Sequence, residues 1–345
     1  MMKRAIYHIM TVLLCFFISC DVHEWPEVEK DVKATFLVEL DFDTAMSEKE
    51  YFYNARSVSD IEGYEMRYTL RAFPIESSES GRAISRTASW EHVFTRKVST
   101  NDYDTTVEVE MELPGGDYSL MVWADFVKAG TVTNHFYAPD NFAEITLHGE
   151  HKANTDMRDA FRGTTNITMN GSMGREGAVL VQLSRPLAKF SFVSSDLQEF
   201  IDKELEARNR NAARGEESRS LDLSDYKVMF YYNGFMPCAY NMFTSKPNDS
   251  KVGVRFESAI TVTSESEALM GFDYVFVNGS EATASIILAL YDKDGKEIFS
   301  SNPIPVPIKR AQHTIMRGEF LTIDTSGGVG IVPDFDGEYN YEIKY

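Results

Sequence analysis

At 345 residues the chain is long enough for about two domains of ~150 residues, and its 43% hydrophobic and 12% aromatic content excludes a globally disordered polymer. Lys and Arg number 34 against 53 Asp and Glu, a formal charge of −19. That excess of acid argues against a nucleic-acid phosphate backbone as partner, and against electrostatic docking on anionic lipid.

The chain opens with a targeting segment, residues 1–19. Lys3 and Arg4 form a basic start, and residues 9–18 form an apolar run too short to span ~30 Å of hydrocarbon as a helix. No later stretch approaches ~20 uncharged apolar residues, so no transmembrane helix is expected. Phe17-Ile18-Ser19-Cys20 resembles a bacterial lipobox, in which the cysteine sulfur takes a diacylglycerol and a peptidase cuts just before it. Cys20 is therefore expected to be the lipid-bearing first residue of the mature protein. Loss of Lys3 and Arg4 then leaves 32 − 53 = −21. Cys15 departs with the signal, and Cys238 alone cannot close an intramolecular bridge. The apolar surroundings of Cys238 in "NGFMPCAYNMF" predict a buried, inert thiol.

Residues 20–33 read as an acidic tether. Period-two alternation begins in 34–43, where Phe36, Val38, Leu40 and Phe42 oppose Thr35, Glu39, Asp41 and Asp43, as in a half-buried strand. In 64–73, Tyr64, Met66, Tyr68, Leu70 and Ala72 oppose Glu65, Arg67, Thr69 and Arg71. Residues 107–113 alternate valines, Met111 and Leu113 with Glu108, Glu110 and Glu112. Pro114-Gly115-Gly116-Asp117 then predicts a β-hairpin into 118–124. Further strands are expected near 143–148, 164–169, 177–183, 187–194, 226–233, 252–262, 270–277, 282–291 and 314–323. A helix over 196–213 places Leu197, Phe200, Ile201 and Leu205 at helical spacing. Strands and turns every ~8–12 residues predict an all-β sandwich fold rather than βαβ units. A domain break is expected at Arg185-Pro186, because proline sits poorly inside a strand. The expected division is 34–184 for an N-terminal sandwich and 185–345 for a C-terminal one.

Motifs for chemistry fail one by one. Asp292, Asp294 and Gly295 lack the spacing of a calcium loop and predict a hairpin turn. His148, Glu150 and His151 lack a further ligand and read as a polar turn rather than a metal site. Nucleophile-elbow, metalloprotease and phosphate-loop signatures are absent. No catalytic, cofactor or metal residue is expected, and the chain does not read as an enzyme. Gly327-Gly328-Val329-Gly330 reads as a flexible joint. After it, Tyr339, Tyr341, Ile343 and Tyr345 alternate with Asn340, Glu342 and Lys344 in a final strand.

"LPGGDYSLMVWAD", "MRDAFRGTTNITMNG" followed by "VLVQLSRPLAKFSFV", and "TIMRGEFLT" together resemble the fimbrillin family, the type V pilins of the Bacteroidia with their anchor and accessory subunits. The resemblance runs from about 34 to 323. It implies two tandem transthyretin-like sandwiches with one short helical insertion, export as an outer-membrane lipoprotein through Cys20, and other fimbrial subunits as partners. It also implies joining by donor-strand exchange after proteolysis at a basic residue, for which Arg56 is the best placed. Tyr339, Tyr341, Ile343 and Tyr345 then mark the donor strand. A tail paired at the edge of its own domain is the open alternative. A second function also stands: a monomeric surface lipoprotein that binds a glycan or host protein through sandwich loops. Against it, Trp25, Trp90 and Trp123 form no visible aromatic platform in the sequence.

Overall fold

A computed structural model describes residues 32–40, 63–78, 81–97, 107–169, 179–211, 220–279, 282–322, 330–336 and 338–344. Among these residues the fold is all-β sandwich with one α-helix, the class expected from the strand spacing.

The first core lies between two sheets. One is three-stranded, with β1 (Val32–Leu40) between β10 (Val179–Leu183) and β5 (Val107–Leu113). The other joins β3 (Gly81–Ile84) and β4 (Trp90–Arg96) to β2 (Tyr64–Ser78), then β6 (Gly116–Lys128) and β9 (Ala160–Met169). Gly163 shows how closely the sheets approach. A Cβ at Gly163 would lie 2.5 Å from Leu183 Cδ2 and 2.7 Å from the Gln182 carbonyl oxygen. Gly163 is in register with Val122, so that face of β6 meets the three-stranded sheet.

The other face of β6 carries Trp123 and Asp125 and is buried too. The chain from 129 to 148, with β7 (Tyr137–Ala138) and β8 (Ile145–Leu147), lies over it. The polar side of 64–73 is thereby drawn inside: Arg67 is buried and grips Asp125 through two bonds of 2.9 and 2.7 Å.

The second core lies between a six-stranded and a five-stranded sheet. The first has the order β16 (Thr261–Val262), β17 (Ala268–Phe276), β11 (Leu187–Ser194), β21 (His313–Gly318), β23 (Glu338–Lys344), β22 (Gly330–Asp336). The second has β15 (Arg255–Ala259), β12 (Lys227–Tyr232), β18 (Ala282–Tyr291) and β19 (Glu297–Ser300), with β20 (Ile304–Ile308) also on β18. Phe192 of β11 and Phe230 of β12 meet edge to face at 5.6 Å between them. Helix α1 (Leu197–Asn211) buries Leu197 and Phe200 at one end of this core. A small sheet of β14 (Lys246–Val252), β13 (Phe235–Asn241), β8 and β7 joins strands from both sides of the 184–186 junction.

Two local expectations change. Residues 107–113 and 118–124 do not pair as a hairpin: β5 adds to β1, whereas β6 pairs β2 and β9. The Pro114–Asp117 turn crosses from one sheet to the other. Gly116 takes φ 151°, and the Tyr118 hydroxyl donates to the Pro114 carbonyl at 3.1 Å, bracing the corner. Segment 304–308 is a strand despite Pro305 and Pro307. It pairs only with β18 among the described residues, and an edge tolerates residues that lack an N–H. The turn at Asp292–Gly295 forms as expected, with Gly295 at φ 77° and the Asp292 carboxylate accepting from the Asp294 and Lys296 amides.

Candidate assembly site

β1 is an interior strand with mixed pairing. It runs parallel to β10 from Phe36↔Val179 to Leu40↔Leu183, and antiparallel to β5 from Val32↔Leu113 to Val38↔Val107. The wall it leans on is apolar: Val107, Val109, Met111, Leu113, Val181 and Leu183 are all buried, and Glu108, Glu110 and Glu112 face out. Ala34 of β1 is buried and in register with Met111. Taking β1 away would leave unpaired backbone groups on two strands above an apolar floor.

The tail strand has the same kind of place in the second core. β23 runs parallel to β21 over Thr314↔Tyr339 to Arg317↔Glu342, and antiparallel to β22 from Asp336↔Glu338 to Gly330↔Lys344. Positions 339 and 341 are in register with Thr314 and Met316, both buried. Tyr339, Tyr341 and Ile343 thus stand in their own chain's sheet. Tyr345, Arg56 and Cys20 lie outside the described residues, as do the signal and most of the tether.

Between the two cores sits a buried polar cluster. Asp273, fully buried on β17, accepts from Arg158 Nη1 at 3.0 Å, the Tyr232 hydroxyl at 2.6 Å and the Tyr274 amide at 2.8 Å. His151 Nε2 lies 2.7 Å from the second carboxylate oxygen. Burial alone would raise the Asp273 pKa, but Arg158, His151 and Tyr232 outweigh it and hold the carboxyl below its ordinary value. Burial, then the Asp273 charge, pushes the Tyr232 phenol well above its own, so it stays a donor. His151 is more than part of a polar turn: it reaches into this cluster. Arg185, at the expected domain break, is buried as well, with Nε donating to Asp159 at 2.6 Å and its guanidinium over the Phe161 ring. Next to Arg158, whose carbonyl accepts from the Tyr137 hydroxyl, Trp123, Tyr137, Tyr240 and Phe276 pack ring on ring, the first two from one side of the junction and the last two from the other. A charge inside an apolar run, at Asp125 and at Asp273, is the only sequence signal for these buried pairs.

Two further sequence expectations can be placed. Cys238 is buried, and burial raises its thiol pKa, as suits an inert cysteine. Trp90 does not stand alone: Trp90, His92 and Phe94 line one side of β4 with ring centroids 5.8 and 5.2 Å apart.

A family model described as a family of unknown function, DUF6562, matches residues 29–344. The chain belongs to this family. No curated protein matches the DUF6562 chain. Its fold is similar to several solved structures. A candidate adhesin from Bacteroides ovatus shares 10% identity, with 95% of this chain and 99% of that chain covered, at a TM-score of 0.43. The tip fimbrial protein Mfa3 from Porphyromonas gingivalis, with C-terminal truncation, shares 14% over 91% and 98% at 0.39. The fimbrial anchor protein Mfa2 from Porphyromonas gingivalis shares 13% over 78% and 81% at 0.33. Likeness at these scores does not carry a function across.

Proposed function

We propose that this chain is a cell-surface lipoprotein, held to the outer membrane through Cys20, that serves as a structural, anchoring or accessory subunit of a fimbria. Its neighbours are other subunits, joined by strand exchange. The observation that carries this reading is the slot of β1, an interior strand bounded by one parallel and one antiparallel neighbour over an apolar floor. Cleavage at Arg56 would free β1, and the Cys20 anchor with it, from the rest of the chain, so the lipid holds the subunit only until it is processed. A partner's strand with alternating apolar residues would then recover both ladder bonds and side-chain burial. Tail 338–345 has that alternation. β10 ends at the 184–186 junction and β1 is parallel to it, so a donor entering in β1's direction comes in from the end remote from the junction. The same reading divides the mature chain into units 34–184 and 185–345. In support, the first hydrophobic cluster draws mostly on residues up to Leu187 and the second on residues from Ala188 onward, with Tyr240, Met242, Tyr274 and Phe276 crossing into the first.

A second reading, a monomeric surface lipoprotein that binds a glycan, has the Trp90–His92–Phe94 row in its favour, because aromatic rings stack on the apolar faces of sugars. The two separate by size. Full-length chain released from cells and treated with an arginine-specific protease should give detergent-stable ladders, and Arg56→Ala should abolish them. One small species under all conditions, together with glycan-dependent quenching of tryptophan fluorescence, would favour the second reading instead.

A further inference from the structure

β1 and β23 occupy slots of one design. Each has a parallel neighbour on one side, β10 or β21, and an antiparallel neighbour on the other, β5 or β22. Each takes an alternating apolar strand onto buried positions, Val107 to Leu113 in the first core, Thr314 and Met316 in the second. A strand fitted to one slot therefore meets the hydrogen-bonding pattern and face alternation of the other.

We infer that β23 in its own sheet is a self-capped state of the chain, in which the tail that would serve a neighbour is held back by its own β21 and β22. This inference rests on the strand-exchange reading. The parallel ladder to β21 is short, Thr314 to Arg317, and the longer ladder, Gly330 to Asp336, is made with β22. β22 is thus the main ladder partner of the tail, and it is the outermost strand of its sheet. The slot of β1 offers β5 over Val32–Val38 and β10 over Phe36–Leu40, so a tail that moves there exchanges one two-sided ladder for another. Backbone pairing alone gives neither slot a large advantage. Tethering decides between them: a tail on its own chain sees its slot at an effective concentration of about a millimolar, against micromolar partners, a bias of about a thousandfold. The capped state keeps free subunits from joining prematurely, and it covers the edge of β21, which would otherwise present unpaired groups to any strand.

The test uses the full chain with two changes that leave residues 338–345 able to act as donor. Val332→Pro removes a donor from β22 opposite Glu342 and weakens the cap. Ile315→Cys with Asn340→Cys places two thiols at paired positions of β21 and β23, within reach of a disulfide, and locks it. Hydrogen exchange reads the cap without any assembly: amides 338–344 should be protected in the unaltered chain and exposed in Val332→Pro. After cleavage at Arg56, Val332→Pro should form ladders at least about tenfold faster, a part of the tethering bias. The locked chain should form none until reductant is added. Unprotected amides in the unaltered chain, or a locked chain that assembles at the unaltered rate, overturns the inference and leaves the subunit reading standing. Protected amides with no ladders from any variant, reduced or not, overturns the subunit reading and makes β23 a fixed strand of the fold.

Discussion

Arg158 Nη1 donates to Asp273 Oδ1 at 3.0 Å in the seam between the two cores, and both side chains are almost wholly shut off from solvent. Arg158 comes from the 3-10 turn at Asp156–Arg158, ahead of β9, and Asp273 from β17, so this pair ties together parts of the chain that lie on either side of the junction. Removing one partner strands a buried charge, which typically costs 3–5 kcal/mol. Asp273→Asn and Arg158→Met should each lower the melting temperature sharply. The double change should cost less than the sum of the two, as read by a denaturant double-mutant cycle. The seam also has a pH signature. Because the folded pKa of Asp273 lies below its unfolded value, its contribution is present above about pH 4 and is lost as pH falls through the folded value.

His313 acts at a higher pH. Burial first, then nearby Lys189, lowers its pKa to about 3, and its Nε2 shares a 2.9 Å hydrogen bond with Ser191 Oγ. A folded pKa below the unfolded ~6.5 means full stability above pH 6.5 and a progressive loss as pH falls towards the folded value. The slope is at most about 1.4 kcal/mol per pH unit, and less to the extent that solvent reaches the ring. His313→Gln should flatten the curve of unfolding free energy against pH between 6.5 and 4.

Gly163 tests the packing of the first core. Its added methyl would meet a backbone oxygen as well as two side chains, and the backbone cannot step aside cheaply. Gly163→Ala should cost about 1–3 kcal/mol, the usual range for overpacking, measured by urea unfolding. Gly130→Ala is a contrasting case: open space surrounds it, and only its φ of 75° resists the side chain.

Lipid attachment is tested at Cys20. Cells expressing Cys20→Ser should carry no label from a palmitate analogue on this chain, and the protein should leave the membrane fraction. Retention of both label and membrane association would reject the lipobox reading.

Tail chemistry is tested by Tyr341→Asp with Ile343→Asp. Under strand exchange these remove ladders after cleavage at Arg56, while the first hydrophobic core, which β23 does not join, keeps its cooperative melting. Persistence of ladders would exclude 338–345 as the donor.

Much of this protein is legible from its residues. Strict alternation located β5, helical spacing located α1, Asp294-Gly295 located a hairpin turn, and Trp123 in an apolar run went to the core. Each is a local signal: alternation reports that one face of a strand is buried, and turn chemistry reports a demand on φ. Partner choice is different, because ladder hydrogen bonds join backbone groups that every residue carries. Nothing in 107–113 states that β5 pairs β1 rather than β6, or in 338–344 that the tail adds to β21. Nor could the run 64–73 reveal that Arg67 would be covered by 129–148 and matched with Asp125, or "LHGEHK" that His151 would reach Asp273 more than a hundred residues away. Those outcomes depend on which surfaces the sheets leave to be covered, and that is settled only when the layers pack.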